Sequence, residues 1–208
     1  MNDEVDASTK YVGYYPVGPD FKETPYLARL DSRLVKSGVL TSVPSSFPRL
    51  ASRWRGMGGI ACTGDRVLLA VASEPAVWEF DLAGNLKATV DVSPPDYNAI
   101  TEDLPDADEF IEVFKRMKDY DEKSVLLSLY RVDAKTLAVQ FWHQASNRFE
   151  STIVDVSGRV AAVRSVVEMD YPISAFASGM AYRLHNAELA PDGSLPNPAI
   201  DVYRFLGF

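Results

Sequence analysis

The sequence predicts an all-β fold built from repeated four-stranded antiparallel sheets. Two observations carry that prediction. First, one hairpin is written twice: "VWEFDLAGNLKATVDV" at 77–92 and "STIVDVSGRVAAVRSV" at 151–166 share the order apolar, Asp, apolar, small, Gly, any, apolar, any, Ala. Asp bonds turn N–H groups and Gly accepts positive φ, so each stretch reads as strand, tight turn, strand. Second, apolar residues alternate on both sides of each turn, the period of a half-buried strand. That pattern puts Phe80 and Leu82 on one face and Asp81 on the other, and it predicts Gly84 and Gly158 in equivalent turns with positive φ or close backbone contact.

The elements follow in order. "KYVGYYPVG" pairs with 26–31, and "YLARLDSRLVKSGVL" at 26–40 is a degenerate copy of the hairpin with Leu30-Asp31 at its turn. Strands near 59–62, 67–71, 77–81 and 86–92 form an up-and-down sheet, with Gly64-Asp65 as its first turn. "LPDADEFIEVFKRMKDY" at 104–120 breaks the β pattern: Asp106 and Glu109 cap it, and Phe110, Ile111, Phe114 and Met117 recur at helical spacing, which predicts an inserted helix over 106–119. A second sheet follows at 125–132, 137–142, 149–156 and 160–167, and "ISAFASGMAYRL" and "IDVYRF" supply further strands around the loop "APDGSLPNPA". Alternation marks Ile60, Leu68, Val77, Phe80, Leu127, Leu129, Val139, Phe141, Val154 and Val166 for burial.

The turn aspartates Asp31 and Asp81 lie 50 residues apart, and Asp81 and Asp155 lie 74 apart. The inserted helix accounts for the excess, so the underlying period is that of a four-stranded unit. One four-stranded sheet cannot bury both of its faces. Stacking successive sheets around an axis solves that problem and gives a β-propeller-like array of three blades in one domain over 1–208, with units at about 11–55, 56–103 and 121–208 and the helical insertion at 104–120. A β-sandwich of two such sheets is the competing solution.

The hairpin at 77–92 resembles the outer hairpin of six-bladed β-propellers of the NHL and TolB-like type, where an apolar-x-apolar-Asp-x-x-Gly turn joins the two outermost strands. The resemblance spans about 11–92 and 124–205. It implies half of a six-bladed ring, since three units are too few to close one. A homodimer or a longer chain would complete it. It also implies two functions. One is a non-catalytic scaffold binding a protein or small-molecule ligand. The other is a calcium-dependent hydrolase or lactonase, with an axial ion held by Asp96, Asn98, Glu102, Asp103 or Asp170.

Charge and composition limit the partners. A net charge of −8 and a pI near 4.8 do not suit nucleic acid or an anionic membrane, both of which require a basic face. No apolar run approaches the roughly 18 residues of a membrane span, and the polar, acidic "MNDEVDASTK" is not a signal peptide. These features predict a soluble chain and leave its compartment open. Cys62 is the only cysteine, so no intrachain disulfide forms.

Few residues offer chemistry. His143 and His185 stand far apart and read as ordinary rim histidines, because a metal site needs three or four converging ligands. No G-x-S-x-G elbow is present. "RGMGGIACTG" lacks the Lys-Ser/Thr of a phosphate loop and reads as glycine at a tight approach into an inner strand. The stretch 93–110 holds Asp96, Glu102, Asp103, Asp106, Asp108 and Glu109 without a basic residue; hard oxygen ligands suit Ca²⁺, but the spacing is not that of an EF-hand loop and a solvated loop with a helix cap is the simpler reading. Arg49, Arg53 and Arg55 flank Trp54, a pattern able to bind acidic or sugar-like ligands or to pair charges within a loop.

Overall fold

A computed structural model describes residues 10–13, 25–30, 36–42, 58–72, 74–99, 120–159, 161–169, 171–177, 179–185, 193 and 199–204. The fold is all-β. Fourteen strands are described: β1 (Lys10–Gly13), β2 (Pro25–Leu30), β3 (Lys36–Ser42), β4 (Gly58–Thr63), β5 (Arg66–Val71), β6 (Glu74–Asp81), β7 (Leu86–Asp91), β8 (Ser124–Arg131), β9 (Thr136–His143), β10 (Arg148–Asp155), β11 (Ala162–Met169), β12 (Ala175–Ala177), β13 (Met180–His185) and β14 (Ala199–Arg204). The expected helix over 106–119 lies outside the described residues. Among them no helix is long and apolar enough to cross a membrane.

The two expected four-stranded meanders, β4–β7 and β8–β11, form one eight-stranded sheet. Every pair within each meander is antiparallel, and the meanders join through their first strands, β4 and β8, which run parallel with Gly58 opposite Ser128. The sheet curls at this junction. Leu68, Ala70 and Val77 from one meander then share a core with Leu126, Leu137, Val139, Phe141 and Val154 from the other. Each Leu, Val or Phe side chain removed from water contributes about 1.5–3 kcal/mol, and this seam is the largest apolar cluster among the described residues. Smaller sheets β1–β2–β3 and β12–β13–β14 account for the remaining strands, so the stretch 121–208 holds two sheets.

Both faces of the eight-stranded sheet are used. Trp78, Phe80 and Leu82 pack on the opposite side of the first meander with Val67, Leu69 and Val71, as the alternation around Asp81 requires. On the far side of the second meander, Val132, Ala138 and Ile153 meet Phe176 of β12. Interior strands covered on two sides lose their alternation. All of β9 except Trp142 is buried, whereas the edge strands β7 and β11 expose much of their length. This corrects one expected core residue: Val166 lies on the edge strand β11 and is 37% exposed. Ile60 and Leu127 are half-buried, and the other seven expected residues are buried.

The two hairpin turns share their aspartate but not their glycine. Asp81 accepts the Ala83 N–H at 3.0 Å, and Asp155 accepts the Ser157 N–H at 2.7 Å. Ion pairs to Lys87 and Arg164, on the returning strands, clamp the two carboxylates. The Ser157 hydroxyl and N–H, followed by Arg164, hold the Asp155 carboxyl down at about 2, and Lys87 and Asn85 lower that of Asp81. Gly84 has φ of 92°, but Gly158 is not among the positive-φ glycines. The first turn closes through Gly84 N–H to Asp81 C=O and Asn85 N–H to the Asp81 carboxylate, a geometry that needs the left-handed residue.

Candidate functional site

Interfaces in this molecule are made where polar groups meet the ends of apolar seams. The seam between the two meanders has such a group at each end. At one end, Glu79 is 1% exposed, pairs with Arg66, and accepts the Ala161 N–H at 3.1 Å. Arg66 also donates to the Val156 carbonyl. This buried ion pair therefore ties β5 and β6 to the loop after β10.

At the other end, three adjacent strands place a row of side chains on the core-facing side. Ser124 opens β8 opposite His143, the last residue of β9, and Glu150 lies two residues beyond the Arg148 that pairs with His143 across the hairpin. Ser124 Oγ stands 2.9 Å from His143 Nδ1, and His143 Nε2 stands 3.0 Å from Glu150 Oε2. His143 is thus no rim histidine. β9 is an interior strand, so even its last residue is covered, and both ring nitrogens find partners. Serine, histidine and carboxylate stand in the order of a hydrolytic relay, but Ser124 is only 1% exposed and its Oγ already accepts the Asn98 N–H at 3.0 Å. A serine closed to substrate cannot attack a carbonyl. The row instead latches the 92–99 segment to the second meander, helped by Ser124 N–H to Asn98 C=O at 2.9 Å and Thr152 Oγ1 to Val92 C=O at 2.8 Å. Sequence reading misses this row because its members come from three strands. The available signal is register: a short turn between β9 and β10 puts His143 and Glu150 on one face.

Two of the residues proposed for calcium lie beside this latch. Asp96 pairs with Arg148 at 2.8 Å, and that hydrogen bond lowers its carboxyl below the usual range. The Asn98 side chain donates to the Glu122 carbonyl at 3.0 Å and accepts from Lys123 Nζ at 3.2 Å. Both groups are engaged in joining 96–98 to the second meander. Glu102, Asp103 and Asp170 lie outside the described residues, as do Arg49, Arg53, Trp54 and Arg55. Among the described residues no three His, Cys, Asp or Glu side chains gather as a metal set would.

The most unusual surface belongs to the last sheet. Directly opposed residues share a face, so the pairs Ala175–Tyr182–Val202, Ala177–Met180–Arg204 and Leu184–Ile200 lie together. The other face carries Phe176 and the fully buried Ala181, and Phe176 meets Tyr130 of β8 with ring centroids 5.3 Å apart. The first set therefore points outward. It is apolar except for Arg204 at one corner, and Leu184, Ile200 and Val202 are 49%, 61% and 51% exposed. A terminal antiparallel sheet with water on one side ordinarily alternates apolar and polar residues. This one is apolar on its outward side, while the covered side carries the Arg183–Asp201 ion pair beside Phe176 and Ala181.

Protein-family models and curated proteins give no match to this chain.

Proposed function

We propose that this chain is a non-catalytic, β-propeller-like interaction scaffold, and that its ring is completed by a second copy of itself. The observation that carries the reading is the outward apolar face of β12–β14. Its extent is that of the largest apolar patch on an ordinary monomer; what singles it out is that Leu184, Ile200 and Val202 stand exposed side by side on a terminal sheet. Its position fits the propeller-like arrangement: the two meanders already face each other across one apolar seam and the second meander meets β12 across another, and this face would make one more seam of the same kind. Three strands at a spacing of ~4.8 Å and six residues at ~3.3 Å span roughly 280 Å² per copy. That is well under the ~800 Å² per partner of a standard interface, so the association is reversible and concentration-dependent.

Light scattering across micromolar concentrations tests the proposal. The mass should rise from 23.0 kDa towards twice that value. Replacing Ile200 and Val202 together with Lys should hold the chain at monomer mass without unfolding it, because both side chains are exposed in the single chain and buried charges without partners cost several kcal/mol in a dimer. A wild-type chain that stays monomeric at all concentrations would refute self-association.

A further inference from the structure

The far face of the second meander is only partly covered. β12 shields the end carrying Val132, Ala138 and Ile153. Among the described residues that cover stops towards the other end, where a cleft of about 430 Å³ has Leu127, Trp142 and Phe149 in its floor and Gly58, Pro172 and Ile173 in its walls. The cleft is shallow and largely open, so it suits one face of a flat molecule and does not enclose it.

The walls are fixed by polar groups that are already committed. Tyr130 Oη donates to the Ile173 carbonyl at 2.9 Å. In the amide orientation that satisfies both groups, Gln140 accepts the Ile173 N–H at 2.7 Å and donates to its carbonyl at 3.2 Å. Trp142 Nε1 donates to Asn147 Oδ1 at 3.1 Å. The Ser128 hydroxyl also lines the cleft, 3.3 Å from the Gln140 side-chain amide, and the other residues turned to it are apolar. Trp142 and Phe149 lie nearly parallel, 10° apart with centroids 6.3 Å distant, an offset pair that a third flat ring can extend. No charged side chain is among the described residues lining the cleft. A flat apolar ring therefore gains more from these described surfaces than a charged group does.

We infer that this cleft is a binding site for a neutral, planar, apolar molecule of the aromatic or fused-ring class. It lies on a different sheet face from the proposed self-association surface and does not depend on it. The test uses N-phenyl-1-naphthylamine, an uncharged ring probe, against its anilinonaphthalene sulfonate counterpart, which carries one negative charge. Probe fluorescence and energy transfer from tryptophan report binding. The uncharged probe should saturate one site, and the sulfonate should bind about tenfold more weakly or worse. Phe149→Ala should weaken the uncharged probe about tenfold by removing half of the ring pair. Leu127→Trp, which fills the cleft instead of emptying it, should abolish binding in a chain with an unchanged unfolding transition. Ile200→Lys/Val202→Lys should leave binding intact. The inference is overturned if the sulfonate binds equally well, if neither cleft variant changes affinity, or if only the Lys double variant does.

Discussion

A Cβ at Gly58 would lie 2.4 Å from the carbonyl oxygen of Ala70, and the residue holds φ of +96°. Gly59 would meet Leu129 at 3.1 Å. These two glycines let β4 pass between β5 and β8 at the curl of the sheet. Gly58→Ala should therefore cost about 2–4 kcal/mol, combining a left-handed backbone penalty with overpacking against main chain. Gly64→Ala is the control, since nothing lies within 4 Å of a Cβ there and only its φ of +58° is strained. Denaturant melts giving equal losses for the two would remove the close-approach argument. The run "RGMGGIACTG" already suggests a tight approach into an inner strand, because it has glycines without the phosphate-loop lysine. Which neighbours require them is not legible, because Ala70 and Leu129 are brought there only by the fold. The turn motif divides in the same way. Its aspartates act locally on N–H groups two residues ahead and are readable, whereas the φ of Gly84 and Gly158 depends on how each turn closes.

Strands were readable where one face is wet and harder to interpret where both are dry. β9 is buried almost throughout, so its residues lose the contrast that reveals facing, and His143 looks like a rim residue until β8 and β10 are placed on either side of it. The same pairing of distant elements hides the bridge between meanders. Glu79 stands within an otherwise apolar run, and nothing near it in sequence announces Ala161 as a partner. The bridge carries a prediction. Glu79→Ala leaves Arg66, whose side chain is 14% exposed, with only the Val156 carbonyl and the exposed Asp65 at 3.9 Å, and the Ala161 N–H without an acceptor, and should cost about 3 kcal/mol. The double variant Arg66→Met/Glu79→Leu removes both charges and fills the space, so it should recover the part of that loss due to the unpaired charge, while the Ala161 N–H and the Val156 carbonyl still lack their partners. Urea melts of the three chains decide the matter. A double variant as unstable as the single one would mean that the ion pair itself, and not the cost of an unpaired buried charge, holds the meanders together.

For the molecule as a whole, the sequence conveys the all-β class and the meander order, because local turn chemistry and alternation determine both. It does not convey how sheets meet. The parallel contact of β4 with β8 rests on the single register pair Gly58–Ser128 and has no local signature. The exposed face of β12–β14 is half legible: "AIDVYRF" is visibly apolar, but only register shows that Ile200 and Val202 point outward with Leu184 while Tyr203 lies on the face carrying Ala181. The proposed association through that face makes stability depend on concentration. Binding between folded copies stabilises them by RT ln(1 + [L]/Kd), about 1.4 kcal/mol when free chain reaches ten times Kd. For a chain of this size each kcal/mol raises the melting temperature by about 2–4 °C, so the gain should be about 3–6 °C. The midpoint should climb by that amount as the chain is concentrated from well below to well above the dissociation constant seen in light scattering. Ile200→Lys/Val202→Lys should give one midpoint at every concentration, equal to that of dilute wild type, because the exposed face contributes nothing to the single chain. A wild-type midpoint independent of concentration would leave the apolar face without a second copy to cover it.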